Sequence, residues 1–158
     1  MYLKEFEIRW NDLDANRHLA NTSYVNYMSH TRMSSLTHHG IDQLTLAKHN
    51  IGPVVFHEHI YYFKEAIQGK VTVSFELAGT SADGMFFQFL HNFYNDKGEN
   101  IAACDMKGGW LDLKTRKLIP LPEELLSKMH LMPKSDDFRV LDKNDMRNGA
   151  FTPKPLKS

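Results

Sequence analysis

The chain has 158 residues, 42% of them hydrophobic and 24% charged, which fits one domain with a packed core and a wetted surface. Lys and Arg together number 19, as do Asp and Glu, so the formal net charge is zero and no global positive field exists to hold nucleic acid or an anionic membrane. A single cysteine, Cys104, excludes an internal disulfide and fits a reducing compartment.

The N-terminal residues Met1-Tyr2-Leu3-Lys4-Glu5-Phe6-Glu7 carry no apolar run of signal-peptide length. No stretch of the chain is apolar for long enough to cross a bilayer, so a cytoplasmic location is expected. Tyr2, Phe6, Ile8 and Trp10 fall on one parity, which predicts a half-buried strand through Trp10. A polar loop holding Asp12, Asp14, Asn16, His18 and Asn21 follows. Asn21, Thr22 and Ser23 all favour an N-cap, and from Tyr24 the apolar pattern becomes helical, with Tyr24, Val25, Tyr27, Met28, Arg32 and Leu36 near one face. Gly40 is a natural residue to end that helix, with His38 and His39 suited to its C-terminal dipole. Ile41 to Asn50 reads either as a short helix or as loop.

Four strands are expected next: Val54–Phe63, Val71–Ala78, Met85–Tyr94 and Ile101–Leu113. The turns between them centre on Gln68-Gly69-Lys70, Ser81 to Gly84, and Asn95-Asp96-Lys97-Gly98, the last a strong hairpin signal. Pro122 opens a short helix through Met129. From Pro133 the chain is polar and pattern-poor, so 133–158 are expected to be a C-terminal tail or surface arm on a domain of residues 1–132. A strand, a long helix, then four hairpin-linked strands predict an α+β fold, an antiparallel sheet with a helix against one face.

The loop from Arg9 to Tyr27 carries the chemistry. A carboxylate, an amide and an imidazole lie within a few residues of a helix N-terminus, where unpaired amides and the helix dipole can polarise a carbonyl. A carboxylate or histidine beside it can activate water or attack directly. Asp14 is the candidate carboxylate; the competing reading is a loop aspartate closing an Asx turn. Asp12 is expected to be structural, paired with Arg9. Asn21 reads equally as an N-cap, and Tyr24 as core.

Asp14-x-x-x-His18-x-x-Asn21-x-x-Tyr24 resembles the signature of single-domain hotdog-fold thioesterases of the 4-hydroxybenzoyl-CoA thioesterase-like group. The longer string Arg9-Trp10-Asn11-Asp12-Leu13-Asp14-x-Asn16-x-His18 is closer still to fatty acyl-ACP thioesterases, where the motif reads Arg-Trp-Ser-Asp-Leu-Asp-x-Asn-x-His-Val-Asn-Asn. This chain departs at Leu19 and Ala20, and it has Arg17 where many CoA-using relatives have Gly. A left-handed conformation there disfavours Arg. The resemblance implies a single hotdog domain, a five-stranded antiparallel sheet wrapped around a long helix.

The resemblance also implies hydrolysis of acyl-CoA or acyl-ACP to free acid and thiol, with no metal and with CoA or phosphopantetheine entering only as part of the substrate. Asp14 would attack the carbonyl or activate water, and His18 and Asn16 would orient the reactants. Glu65 stands where acyl-ACP thioesterases carry a functional glutamate, in Ile60-Tyr61-Tyr62-Phe63-Lys64-Glu65-Ala66. Asn21, Thr22, Ser23 and Tyr24 would meet the thioester. His57 and His59, on one face of a strand, would reach a site from a partner copy, since hotdog relatives assemble as homodimers or homotetramers. As a bare pair they also suit a metal, but no third ligand is evident. Lys64, Lys70, Lys107, Lys114, Arg116 and Lys117 are candidate phosphate contacts or plain surface. Two rivals are a hotdog dehydratase acting on acyl thioesters and a non-catalytic protein that binds them.

Overall fold

The alternation at the N-terminus makes strand β1 (Tyr2–Glu7), with even-numbered residues half-buried and odd-numbered ones exposed, in a computed structural model that describes residues 1–147 and 151–156. The pattern stops before Trp10, which parity had assigned to the buried face. There the chain leaves the sheet for a single 3-10 turn, Trp10–Asp12, and the indole is 91% exposed.

The long helix is α1 (Asn21–His38). Its N-cap is Ala20, not one of the three polar residues that follow. The Ser23 hydroxyl is engaged by the Asp12 carbonyl (2.8 Å), and Asn21 is already the first helical residue. At the other end Gly40 takes the left-handed conformation (φ 79°) and the Ile41 amide donates back to the Leu36 carbonyl at 2.8 Å, as a helix-ending glycine permits. The ambiguous stretch becomes α2 (Gln43–His49), capped by Asp42, whose carboxylate accepts from the Thr45 amide at 2.7 Å.

The remaining strands are β2 (Ile51–Tyr62), β3 (Lys70–Ser81), β4 (Phe86–Tyr94) and β5 (Asn100–Asp112), in the spatial order β1-β3-β4-β5-β2 with antiparallel neighbours. The short helix α3 (Glu123–His130) follows. Phe75, Phe87, Phe89, Phe93, Trp110 and Met106 on the sheet and Met28 and Leu36 on α1 are nearly inaccessible, so the core is the layer between helix and sheet. Among the described residues no helix is long and apolar enough to cross a membrane.

The sheet has six strands, not five. Lys134–Leu141, inside the stretch expected as a tail, form β6, which pairs in parallel with the second half of β3. β1 covers β3 only up to Phe75, which would leave the rest of that edge with open backbone groups. β6 fills it, and pairing through backbone explains why its exposed, polar sequence gave no apolar pattern. Residues 148–150 and 157–158 of that stretch lie outside the described residues.

The join between β1 and α1 is made by Asp12, which is 5% exposed. Its carboxylate accepts the Arg9 guanidinium at 3.0 and 3.1 Å, the Arg9 amide at 2.8 Å and the Tyr27 hydroxyl at 2.8 Å. Its carbonyl accepts the Ala20 amide and the Ser23 hydroxyl. The Arg9 guanidinium holds the Asp12 carboxyl down to about 2 against the opposing pull of burial, and the Arg9 amide and Tyr27 hydroxyl act in the same direction. Tyr27, stacked on Phe6 at 4.5 Å, has its own pKa raised by burial and by that carboxylate.

Two predictions concern this region. The folded pKa of Asp12 lies below its unfolded value of 3.8, so its stabilisation is complete above about pH 4 and is lost as pH falls toward 2. Denaturant melts should show the wild type losing up to about 2 kcal/mol through this group on acidification, less the screening at the exposed guanidinium, and Asp12→Asn lacking that component. An unchanged pH dependence in Asp12→Asn would remove the carboxylate from the join. Arg17 sits at φ 64°, a conformation that costs a residue with a Cβ about 1–2 kcal/mol. Arg17→Gly should therefore keep or slightly raise the melting temperature, and a clear drop would show that the Arg17 side chain compensates for its backbone.

Candidate active site

The loop after the 3-10 turn closes on itself. Leu13 and Leu19 face each other in a β-bridge, Asp14 donates its amide to the His18 carbonyl (2.9 Å), and Arg17 donates to the Asp14 carbonyl (3.0 Å). One oxygen of the Asp14 carboxylate accepts the Asn16 amide (2.8 Å) and the His18 amide (3.2 Å). The Asx turn is therefore present, and it leaves the side chain lining a cleft with its second oxygen outside those two bonds.

The Leu19 amide donates to the Ala66 carbonyl at 2.7 Å, docking the loop against the chain that leaves β2. This contact brings two segments about fifty residues apart in sequence side by side. His18 Nε2 lies 2.7 Å from Glu65 Oε2, an imidazole–carboxylate pair that is an ion pair when the ring is protonated. The cleft, about 380 Å³, is lined by Asp14, His18, Leu19, Asn21, Tyr24 and the run Tyr62 to Glu65. Tyr24 is buried, with its ring centroid 5.1 Å from those of Tyr62 and Phe93. Burial raises the pKa of both Tyr24 and Tyr62, keeping them neutral donors. Lys64 at the rim pairs with Glu99 at 2.8 Å.

Of the residues singled out in the sequence, the structure brings together Asp14, His18, Asn21, Tyr24 and Glu65. It does not bring Asn16, whose recorded contact is its backbone amide to Asp14. Thr22 is exposed beside the cleft without lining it, and Ser23 is buried on the Asp12 carbonyl. His57 and His59 stand apart. They lie opposite Lys107 and Asp105 on β5, whereas Glu58 and Ile60, which alternate with them, lie opposite the buried Met106 and Cys104. Directly opposed residues share a face, so the two imidazoles, 5.3 Å apart, are on the side of the sheet away from α1. Burial, then the neighbouring His59 and Lys107, lower the His57 pKa. Among the described residues no three His, Cys, Asp or Glu side chains gather so as to hold a metal ion.

Sequence reasoning missed Leu19, Tyr62 and Phe63 as cleft residues, whereas Lys64, a candidate phosphate contact, does line it. Tyr62 to Lys64 immediately precede Glu65, so a glutamate proposed at a strand end was a signal that its neighbours share the site.

The geometry is suited to acyl transfer. At the start of α1 the Ser23 and Tyr24 amides donate to the Ala20 carbonyl (2.9 and 3.4 Å), which leaves the amides of Asn21, a cleft residue, and of Thr22 beside it without an acceptor in the helix. They can accept charge developing on a carbonyl oxygen. Asp14 is aimed by its own loop, and His18 is held by Glu65. Both carboxylates reach one cavity, but the close partner of Glu65 is the imidazole.

A family model described as the thioesterase-like superfamily matches residues 8–129, which span the loop, α1, the cleft and β2 to β5. No curated protein matches the chain significantly in sequence. Among solved structures it is similar to YbaW, a probable thioesterase from Escherichia coli (24% identity, 85% of this chain and 100% of that one, TM-score 0.71). It is also similar to the DHNA-CoA thioesterase from Staphylococcus aureus (20% identity, 81% and 89% covered, TM-score 0.72). The 1,4-dihydroxy-2-naphthoyl-CoA thioesterase Slr0204 from Synechocystis is a further match (16% identity, 82% and 96% covered, TM-score 0.72). A sheet wrapped on a long helix, a loop with this motif and a family match over most of its length together make this chain a member of the thioesterase-like superfamily with a hotdog fold.

Proposed function

We propose that this protein hydrolyses an acyl thioester, carried by CoA or by the phosphopantetheine of an acyl carrier protein, to the free acid and the thiol. The observation that carries the reading is the shared cleft: the Asp14 carboxylate, the His18–Glu65 pair and the start of α1 line one cavity. Similar structures named as CoA thioesterases support CoA as the carrier. The Glu65 match to the acyl-ACP motif supports the carrier protein. The reaction uses no redox step and needs no metal in this reading, and a cytoplasmic site of action is part of it.

In this mechanism the thioester carbonyl oxygen points at the first amides of α1. Asp14 takes a proton from a water as it adds to the carbonyl carbon. The tetrahedral intermediate collapses, the carbon–sulfur bond breaks, and His18 protonates the departing sulfur while Glu65 balances the imidazolium. His18, protonated beside Glu65 before this step, is left neutral; Asp14 then gives its proton to solvent and His18 takes one back from it, which restores both groups. Asn16, Thr22 and Ser23 shape the loop and helix start, and His57 and His59, on the face away from α1, would meet a substrate only at the site of a partner copy.

The reading extends to a homodimer or a pair of dimers. β2 ends the sheet, and Val55, Phe56, Tyr61, Tyr62 and Phe63 on or just after it are between 39% and 57% exposed. A long apolar edge strand invites a second copy. Light scattering should give at least a dimer mass at working concentration, and a monomer would overturn this part.

Thiol release from a panel of acyl-CoA and acyl-ACP thioesters tests the chemistry. A dehydratase or a binding protein would release no thiol. Asp14→Asn, nearly isosteric, should fold normally and lose roughly 10²–10⁴ in rate. Glu65→Gln still hydrogen-bonds the imidazole but cannot balance its charge, and should lose on the order of 10–100-fold with little change in melting temperature. Near-wild-type turnover in a folded Asp14→Asn would remove Asp14 from the mechanism.

A further inference from the structure

β2 is the last strand of the sheet, and among the described residues its outer edge has no neighbour. Two groups of exposed apolar side chains flank a polar middle along it. Val55 and Phe56 form the first group; Tyr61, Tyr62 and Phe63 form the second. His57, Glu58 and His59 lie between them. A second copy closes such an edge by laying its own β2 alongside, antiparallel, about a two-fold axis. The axis that covers each apolar group with the other group of the second copy passes midway between the two, at Glu58 or His59.

Directly opposed residues share a face, with their Cβ atoms about 5 Å apart. Centred on Glu58, the pairing sets His57 of one copy opposite His59 of the other, and the reverse. Centred on His59, it opposes the two His59 rings and leaves each His57 one diagonal step away. Either way four imidazoles gather on the sheet face turned from α1. Glu58, on the other face, is already paired with Arg32 at 3.1 Å, so its two copies do not meet as bare charges.

Several features suit this cluster to a metal ion. The His57 and His59 ring centroids are 5.3 Å apart. Two imidazoles on a tetrahedral zinc ion, each with its nitrogen about 2.1 Å from the metal, have ring centres about 5 Å apart. His57 Nδ1 is buried and has no hydrogen-bond partner among the described residues. Burial first, then His59 and Lys107, hold the His57 pKa down, which favours the neutral ring that binds metals. Asp105, opposite His59, adds a carboxylate on the same face, where Gln88 donates to it at 2.8 Å. The Lys107 ammonium, opposite His57, is engaged by the Asp145 carbonyl at 2.9 Å. Within one chain no third His, Cys, Asp or Glu among the described residues joins the pair to hold an ion. The site is incomplete without the second copy.

We propose that one zinc ion, held by His57 and His59 of each of two copies, clasps the dimer on the sheet face away from α1. The proposal rests on the dimer put forward above and is independent of the hydrolase reading. A tetrahedral set of neutral imidazoles selects zinc, with cobalt(II) and nickel(II) as substitutes, over magnesium and calcium, which seek oxygen. The ion ties the copies together and takes no part in the chemistry of the cleft.

The test uses the full chain without a histidine tag, stripped of metal and titrated with zinc. Calorimetry should give one zinc ion per two chains. Light scattering should show the zinc-loaded dimer persisting to concentrations about tenfold or more below those at which the stripped dimer dissociates. Zinc should raise the melting temperature where magnesium does not, and cobalt(II) should give the visible absorption of a tetrahedral nitrogen site. His57→Gln and His59→Gln, both at an exposed edge, should each weaken zinc binding on the order of a hundredfold and remove the effect of zinc on dilution. Zinc bound at one ion per chain, or equally well by both variants, overturns the clasp. A dimer whose dilution profile ignores zinc also overturns it and leaves the dimer standing. A chain that stays monomeric with zinc overturns both.

Discussion

The Asp12 carboxylate is the interaction on which the site depends. It sits where β1 ends and must turn the chain toward α1, and it does so as a buried anion with four donors from Arg9 and Tyr27. A buried charge is tolerable only when paired and hydrogen-bonded. Here that pairing fixes the strand end, the 3-10 turn and the second turn of α1 relative to one another. The backbone carbonyl of the same residue holds Ala20 and Ser23. The position of the helix start that the cleft needs is referred to this one residue, although Asp12 itself does not line the cleft, and the turn that aims Asp14 follows directly on it.

The second constraint is long-range. His18 meets Glu65 because the Leu19 amide donates to the Ala66 carbonyl. A backbone bond places the side chains; the imidazole–carboxylate pair then sits half in water, where such pairs contribute little to stability. That division separates what folds the site from what works in it. The hairpin-linked strands form the platform, α1 is its cover, and the loop and the end of β2 meet at one edge of that sandwich. Its other edge residues, Asn16 and Thr22 among them, remain on the surface.

Much of this was legible in the sequence because it rests on local signals. Alternation found β1, helical spacing found α1, Gly40 marked its end, and Asn95 to Gly98 marked a hairpin. The Arg9–Asp12 pair lies at short spacing and was expected. What failed was non-local. Trp10 kept the strand parity yet left the strand, because Asp12 drew the chain into a turn. Three candidate N-caps were passed over for Ala20, because Ser23 was taken by a distant carbonyl. β6 pairs through its backbone and so left no side-chain pattern. His57 and His59 were correctly grouped on one face, but only the register with β5 tells which face that is. Arg32 was counted with the apolar stripe of α1, and nothing near it in sequence announced its partner Glu58.

The central claim is that a thioester carbonyl is held at the start of α1 beside Asp14. It is tested most directly by a crystal structure with a ketone analogue of an acyl-CoA, in which a methylene replaces the sulfur. The carbonyl oxygen should lie about 3 Å from an amide of the first turn of α1, with Asp14 facing the carbonyl carbon and His18 on the side of the replaced sulfur. An analogue bound elsewhere, for example in the groove between Tyr2, His30, Met33 and Leu44 on another flank of α1, with the Asp14 cleft empty, would contradict it.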